Sequence, residues 1–178
     1  MRSGSSPEDP TILYGDPWLL VVLKPSGLLS QPGRGDHLQD SLITRLQRLR
    51  GEHHLVHLLD LDTSGVVLVA RCLDSLRRCS ALFAARRVNK LYEAEVEGQL
   101  HGRGRIDSRL ARLDRDPPRY GDHPQGRPST TLWRVRARQE DSTKLWLRPL
   151  TGRSHQLRAH LAGIGPVSYT HLTLPTNA

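Results

Sequence analysis

Apolar and polar positions along this chain follow two rhythms, one with a period of two and one with the spacing of a helix. Ile12-Leu13-Tyr14 and Leu19 to Leu23 are short apolar runs separated by Gly15-Asp16-Pro17, a turn signal, and predict a strand pair. Lys24-Pro25-Ser26-Gly27 and Gln31-Pro32-Gly33-Arg34-Gly35 then break the pattern into loops. From Asp40, with Asp40 or Ser41 as N-cap, Leu42, Leu46 and Leu49 take helical spacing, leaving Arg45, Arg48 and Arg50 off the stripe. Val66 to Ala70 is a continuous apolar run, as expected of a strand covered on both faces. Asp74-Ser75 is read as the cap of a second helix carrying Leu76, Cys79, Leu82 and Phe83 on one side.

Further along, Tyr92, Ala94 and Val96 alternate with Leu91, Glu93, Glu95 and Glu97, which predicts a strand. Gly102 to Ser129, rich in Gly, Pro, Arg and Asp, reads as a long loop or a loose insertion. Trp133, Val135 and Ala137 alternate with Arg134, Arg136 and Arg138, giving a strand with one apolar and one basic face. Leu145-Trp146-Leu147 is a further strand, and a last helix begins near Ser154 with Leu157, Leu161 and Ile164 inward. Strands and helices mix without a βαβ alternation, so the expected class is α+β: a mixed, largely antiparallel sheet with flanking helices.

The 178 residues suit one domain, set at 11–166 after a flexible tail at 1–10. No apolar run is long enough to cross a bilayer and the N-terminus has no apolar leader, so the expected location is cytoplasmic, away from membranes. Lys and Arg total 26 against 18 Asp and Glu, a formal charge of +8. That balance fits a polyanionic partner, and the predominance of Arg suits bidentate phosphate contacts. Cys72 and Cys79 are too few for a structural zinc site, and Cys79 is expected to be a buried thiol.

Two segments concentrate chemistry. His57-Leu58-Leu59-Asp60-Leu61-Asp62-Thr63-Ser64-Gly65 sets two carboxylates in an apolar stretch before a buried strand, where a carboxylate is costly unless paired. It is a structural cap or a functional group. Leu150 to His160 gathers two Arg, two His and a Gln after a Gly turn, either a polar helix entry or a fixed cation for a carboxylate or phosphate. The two His lack a nearby acid in a ligand pattern, so no metal site is expected.

At these residues the chain resembles the RluA-type pseudouridine synthases. His57-Leu58-Leu59-Asp60 with Thr63-Ser64-Gly65 is similar to their H-R-L-D-x-x-T-S-G motif, and Lys90-Leu91-Tyr92 to their K-x-Y motif. Gly152 to Arg158 is similar to their G-R-T/S-H-Q-L/I-R motif, and Lys24-Pro25-Ser26-Gly27-Leu28 also fits in order and spacing. The resemblance runs from about Ile12 to Pro166; Gln31-Pro32-Gly33-Arg34 and Asp40 to Gln47 point to the member that modifies both 23S rRNA and the tRNA anticodon stem-loop.

The resemblance implies the pseudouridine synthase catalytic fold, an RNA substrate, no cofactor, no metal and a monomer. It implies that Asp60 is the nucleophile that attacks the ribose, that Arg153 pairs with it, and that Tyr92 stacks on the target base and can take a proton. His57, Lys90, Gln156, Leu157 and Arg158 become substrate-binding candidates. The chain departs from the pattern at Leu58, where relatives carry an Arg that helps hold the extruded base, and at Asp62, an added carboxylate. After Gly165-Pro166 relatives continue with further strand; residues 167–178 here are read as a non-native tail, which would leave the last sheet elements missing and an apolar edge exposed. Two other readings fit parts of the pattern. One is a catalytically impaired RNA-binding protein of the same fold. The other is an aspartate phosphatase, since Asp60-Leu61-Asp62 forms a D-x-D pattern, with Asp114 and Asp116 as its magnesium ligands.

Overall fold

The computed structural model describes residues 9–49, 51–115, 118–164 and 169–173. They form two compact units, one through Arg87 and the other from Val88 to Pro175, a division that falls inside the span the sequence suggests as one domain.

The first unit opens with β1 (Thr11–Gly15) and β2 (Leu19–Lys24), paired antiparallel. Asp16 makes the turn between them: its carboxylate accepts from the backbone N–H of Trp18 and of Leu19, both at 2.7 Å. β2 pairs with β4 (Thr63–Ala70) from Leu19 opposite Ala70 to Lys24 opposite Gly65, and the short β3 (His54–Leu55) also pairs with β4. Period-two alternation buries Leu20, Val22 and Lys24 of β2 with Thr63, Gly65, Val67 and Val69 of β4, while Val66 and Leu68 are half-buried. The apolar run at 66–70 is thus a strand that starts earlier than expected, with one face fully sealed.

Two helices differ from expectation at their ends. In α1 (Leu42–Leu46) the N-cap is Ser41, which exchanges hydrogen bonds with Thr44 in a capping box. The helix closes after two buried leucines, and Leu49 continues the stripe through a tighter turn, its N–H donating to Leu46. Arg45 forms an ion pair with Asp40 at 2.7 Å; Arg50 lies outside the described residues. In α2 (Leu73–Ala84) the N-cap is Cys72 rather than Asp74 or Ser75, because Cys72 is the last residue with extended backbone. Asp74 instead sits in the first turn, where the helix dipole favours a carboxylate, and pairs with Arg78. Ser75 and Cys79 are buried; Leu82 stays exposed.

The second unit is one antiparallel sheet in the order β10 (Tyr169–Thr173), β5 (Tyr92–Glu97), β9 (Ser142–Pro149), β8 (Arg127–Arg138), β6 (Arg103–Arg115) and β7 (Pro118–Asp122). Its core is Ala94, Val96, Leu145 and Leu147 beneath Leu157 and Leu161 of α3 (Gln156–Ala162), with Trp133, Val135 and Ile164 packed against it. Each Å² of apolar area buried in this cluster stabilises the unit by roughly 25 cal/mol.

Two expectations are corrected here. The described residues of 102–129 are not one long loop: β6, β7 and the start of β8 occupy most of them. The alternation was present, with Ile106, Ser108 and Leu110 inward and Arg103, Arg105, Asp107 and Arg109 exposed, but polar composition obscured it. Even Gly104 has a packing reason, since a Cβ there would meet the Trp133 indole at 2.7 Å. Secondly, residues 169–173 pair with β5 as β10, so that edge is not left open; the rest of 167–178, like 1–8, lies outside the described residues.

Candidate active site

In the first unit, Asp60 stands in the connection from β3 to β4. The Thr63 N–H donates to the Asp60 carbonyl at 3.1 Å, closing a turn at the start of β4. The loop after β2 grips this turn residue by residue. Ser30 Oγ donates to the Leu59 carbonyl at 2.7 Å and accepts the Leu59 N–H at 3.0 Å. Gly27 N–H and Lys24 Nζ both donate to the Leu61 carbonyl, at 3.0 and 3.1 Å, and Ser26 Oγ donates to the Asp62 carbonyl at 2.9 Å.

Lys24 is the anchor of this clamp. It is fully buried at 0% exposure, and its Nζ also donates to the carbonyls of Pro25 and Leu28. Burial pushes its pKa down to about 8, against the upward pull of the Asp60 and Asp62 carboxylates. Gly65, opposite Lys24 in the ladder, has φ 135°, a conformation that favours glycine.

The side chains of the motif divide by burial. Leu59 is buried and fixes the turn, Asp60 is half-buried, and Asp62, Leu61 and Leu58 are exposed, Leu58 at 52%. His57 turns inward: its Nε2 accepts the Leu68 N–H at 3.2 Å and its ring stacks on Phe83 of α2 at 5.0 Å. These contacts tie the loop to β4 and α2. Thr63 Oγ1 is buried with no hydrogen-bond partner among the described residues.

In the second unit, the K-x-Y segment and the turn before α3 come together. Lys90, half-buried, donates to the Thr151 carbonyl at 3.4 Å, and burial lowers its pKa. Tyr92 packs against the core cluster that includes Leu157. Gln156 is 3% exposed and fully engaged. Its Oε1 accepts from Thr151 Oγ1 at 2.7 Å and the Arg153 N–H at 3.0 Å, and its Nε2 donates to Thr130 O and Thr131 Oγ1, both at 3.0 Å. This amide organises the turn; it has no capacity left for a substrate. Leu157, 7% exposed, belongs to the core.

Arg153 itself is half-buried, its Nε donating to the Pro128 carbonyl at 3.3 Å. It lines an open polar pocket of about 370 Å³ with Arg112, Arg127, Tyr120, Gly152 and Ser154. His155, in the left-handed region at φ 50°, stacks on Tyr120 at 5.1 Å. Arg158 is half-buried on α3.

The clamp by Lys24 and Ser30 and the arginines at 112 and 127 carried no functional assignment from sequence. The signals available were the motif match at Lys24-Pro25-Ser26-Gly27-Leu28 and Lys24 falling on the buried parity of β2, in step with Leu20 and Val22. No cluster of His, Cys, Asp or Glu suited to a metal occurs among the described residues, and no helix there is long and apolar enough to cross a membrane. Asp116, named for the phosphatase reading, lies outside the described residues.

The RNA pseudouridylate synthase family model matches residues 18–163. The chain is 38% identical over 170 residues to the dual-specificity RNA pseudouridine synthase RluA of Escherichia coli K12, covering 93% of this chain and 78% of that protein. Identity to RluA of Yersinia pestis is 40% over 157 residues, covering 86% and 76% of the two chains. Among solved structures, human RNA pseudouridylate synthase domain containing 1 superimposes with a TM-score of 0.75 at 29% identity, covering 94% of this chain and 70% of that one. A clamped aspartate turn, a Lys–Tyr strand start and an Arg-bearing turn before a helix thus lie within a match that spans both units, and the chain belongs to the RNA pseudouridylate synthase family, isomerases that form pseudouridine in RNA.

Proposed function

We propose that Asp60 is the nucleophile of uridine isomerisation, with Arg153 as its supporting cation and Tyr92 as the ring that stacks on the target base. The carboxylate attacks the ribose at C1′, the bond to N1 breaks, and the uracil leaves with the bonding pair. The freed base turns and rejoins C1′ through C5, the aspartate leaves the sugar, and the C5 proton passes to a base and returns at N1. Tyr92 is our candidate for that transfer. The sequence is redox-neutral and its leaving group is retained, so its chemistry calls for no metal or nucleotide.

The observation that carries this reading is the turn at 59–62. Its backbone is held by Ser30, Gly27, Lys24 and Ser26, which sets the chain position from which the Asp60 carboxylate projects before the encounter with RNA. Such preorganisation spares the entropy of orienting a reactant. Like the relatives whose names record dual specificity, the protein is proposed to act on 23S rRNA and on tRNA anticodon stem-loops, in the cytoplasm and as a monomer. Lys90 and Arg158 are proposed to hold the RNA. His57, Gln156 and Leu157 are proposed to act by supporting the site.

Carbodiimide mapping of RNA incubated with the protein tests the reading. Site-specific pseudouridine is expected with the wild-type chain and none with Asp60→Asn; equal signal from both removes Asp60 from the chemistry.

A further inference from the structure

The face of the second unit's sheet opposite α3 carries an arrangement that folding alone does not account for. Strand register places Arg103 of β6 directly opposite Arg134 of β8, and Arg134 directly opposite Trp146 of β9. In the neighbouring row Arg105 faces Leu132, which faces Arg148. All four arginines are exposed, and together with Trp146 and Leu132 they line an open groove of about 820 Å³. The inward neighbours Leu145 and Leu147 are fully buried, so this face belongs to the alternate, outward parity.

Like charges directly opposed across two strands are destabilising. Neighbouring strands are only about 4.8 Å apart. Here the repulsion is left standing. Arg105 pairs with Asp107, and Arg136 pairs with Glu93 while its guanidinium lies 4.8 Å over the Trp146 ring. Arg148 donates to Asn89. Arg103 and Arg134 have no carboxylate partner among the described residues. Glu93, opposite Trp146, and Asp107, beside Arg105, are engaged by Arg136 and Arg105, which leaves Arg103, Arg134 and Arg148 without a carboxylate partner among the described residues, around an indole and a leucine.

We propose that this groove is an RNA-binding surface separate from the candidate active site, in which Arg103, Arg134 and Arg148 neutralise backbone phosphates while Leu132 and the part of the Trp146 indole not covered by Arg136 pack against a ribose. Guanidiniums suit phosphate geometry, and a planar apolar floor is what distinguishes a nucleotide from a generic polyanion. The assignment rests on the reading of this chain as an RNA-modifying enzyme and adds a second contact region for the same substrate.

Equilibrium binding of a uridine-containing RNA stem-loop, followed against salt, tests the assignment without requiring turnover. For the Arg103→Ala/Arg134→Ala variant the slope of log K against log salt should fall by about 2, with roughly tenfold or more lost in affinity near 0.1 M salt. Its melting temperature should hold or rise, because a like-charge pair has been removed. An Arg77→Ala/Arg78→Ala variant removes the same charge from the exposed face of α2 and should keep the wild-type slope. An unchanged slope in the first variant, an equal fall in both, or equally tight binding of poly-glutamate overturns the proposal. Pseudouridine formation that persists in Asp60→Asn counts instead against the assigned nucleophile, so the two failures are told apart.

Discussion

Lys24 Nζ donates to the carbonyl of Leu61, 37 positions further along the chain, and thereby binds the end of β2 to the turn that carries Asp60. The same ammonium also bonds the Pro25 and Leu28 carbonyls, so a single buried cation closes both loops. Hydrogen bonds to a charged group contribute about 1.5–3 kcal/mol, more than neutral ones. Lys24→Met leaves the Pro25 and Leu28 carbonyls without this donor and the Leu61 carbonyl with the Gly27 N–H, and should lose about 2–4 kcal/mol in urea denaturation at neutral pH.

The same lysine sets an alkaline signature. Its pKa is about 8 in the fold against an ordinary 10.5, so between those values the unfolded chain binds more protons. Stability contributed by this group therefore rises with pH across that window. Urea midpoints measured from pH 8 to 10 should climb in the wild type, and this component should be missing from Lys24→Met. Parallel profiles would show that the cation is not buried as described.

Gln156 gives a prediction about the second unit. Its amide bridges Thr151 and Arg153 on one side and Thr130 and Thr131 on the other. Gln156→Glu replaces the donor with an oxygen facing the Thr130 carbonyl. A cost of about 3 kcal/mol is expected, similar to that of Gln156→Leu, because each leaves buried partners unsatisfied. Chemical denaturation of the two variants checks this; a tolerated Glu would contradict the orientation of the amide.

His160 should make the protein acid-sensitive. It is buried at 2% exposure, with Nε2 bonded to Ser108 and Ser129 and Nδ1 bonded to Thr131. Burial lowers its pKa below 6.5, despite the upward pull of Asp107 and Asp122. The unfolded chain then binds more protons below 6.5, so stability falls as the medium is acidified through that value. His160→Gln should flatten the fall in melting temperature between pH 7 and 5. Buried His53, shifted the same way, should preserve part of it.

Much of this was legible in the residues. Strict alternation at Tyr92–Glu97 and at Trp133–Val135 announced which side chains face inward, since a strand turns each successive residue over. The motifs around Asp60, Lys90 and Arg153 announced the family, and the family match agrees. The strand at 103–115 escaped because Gly104 and Ser108 interrupt Ile106 and Leu110 on its inward side, leaving two apolar positions among many arginines. The cap of α1 was among the two residues the sequence offered, but that of α2 escaped because a cap depends on where extended backbone stops, which neighbouring polar residues do not reveal.

The sequence by itself determined the two rhythms, the excess of arginine and the order of the motifs, all of which are properties of near neighbours or of simple sums. Only the tertiary structure decided that Lys24 is sealed inside, that Gln156 is spent on its own turn, and that Arg103 stands across from Arg134. Each is a relation between residues distant along the chain, created by strand register and loop packing. Local pattern says which way a side chain points; its partner, and hence its energy and its chemistry, is supplied by whatever the fold brings opposite.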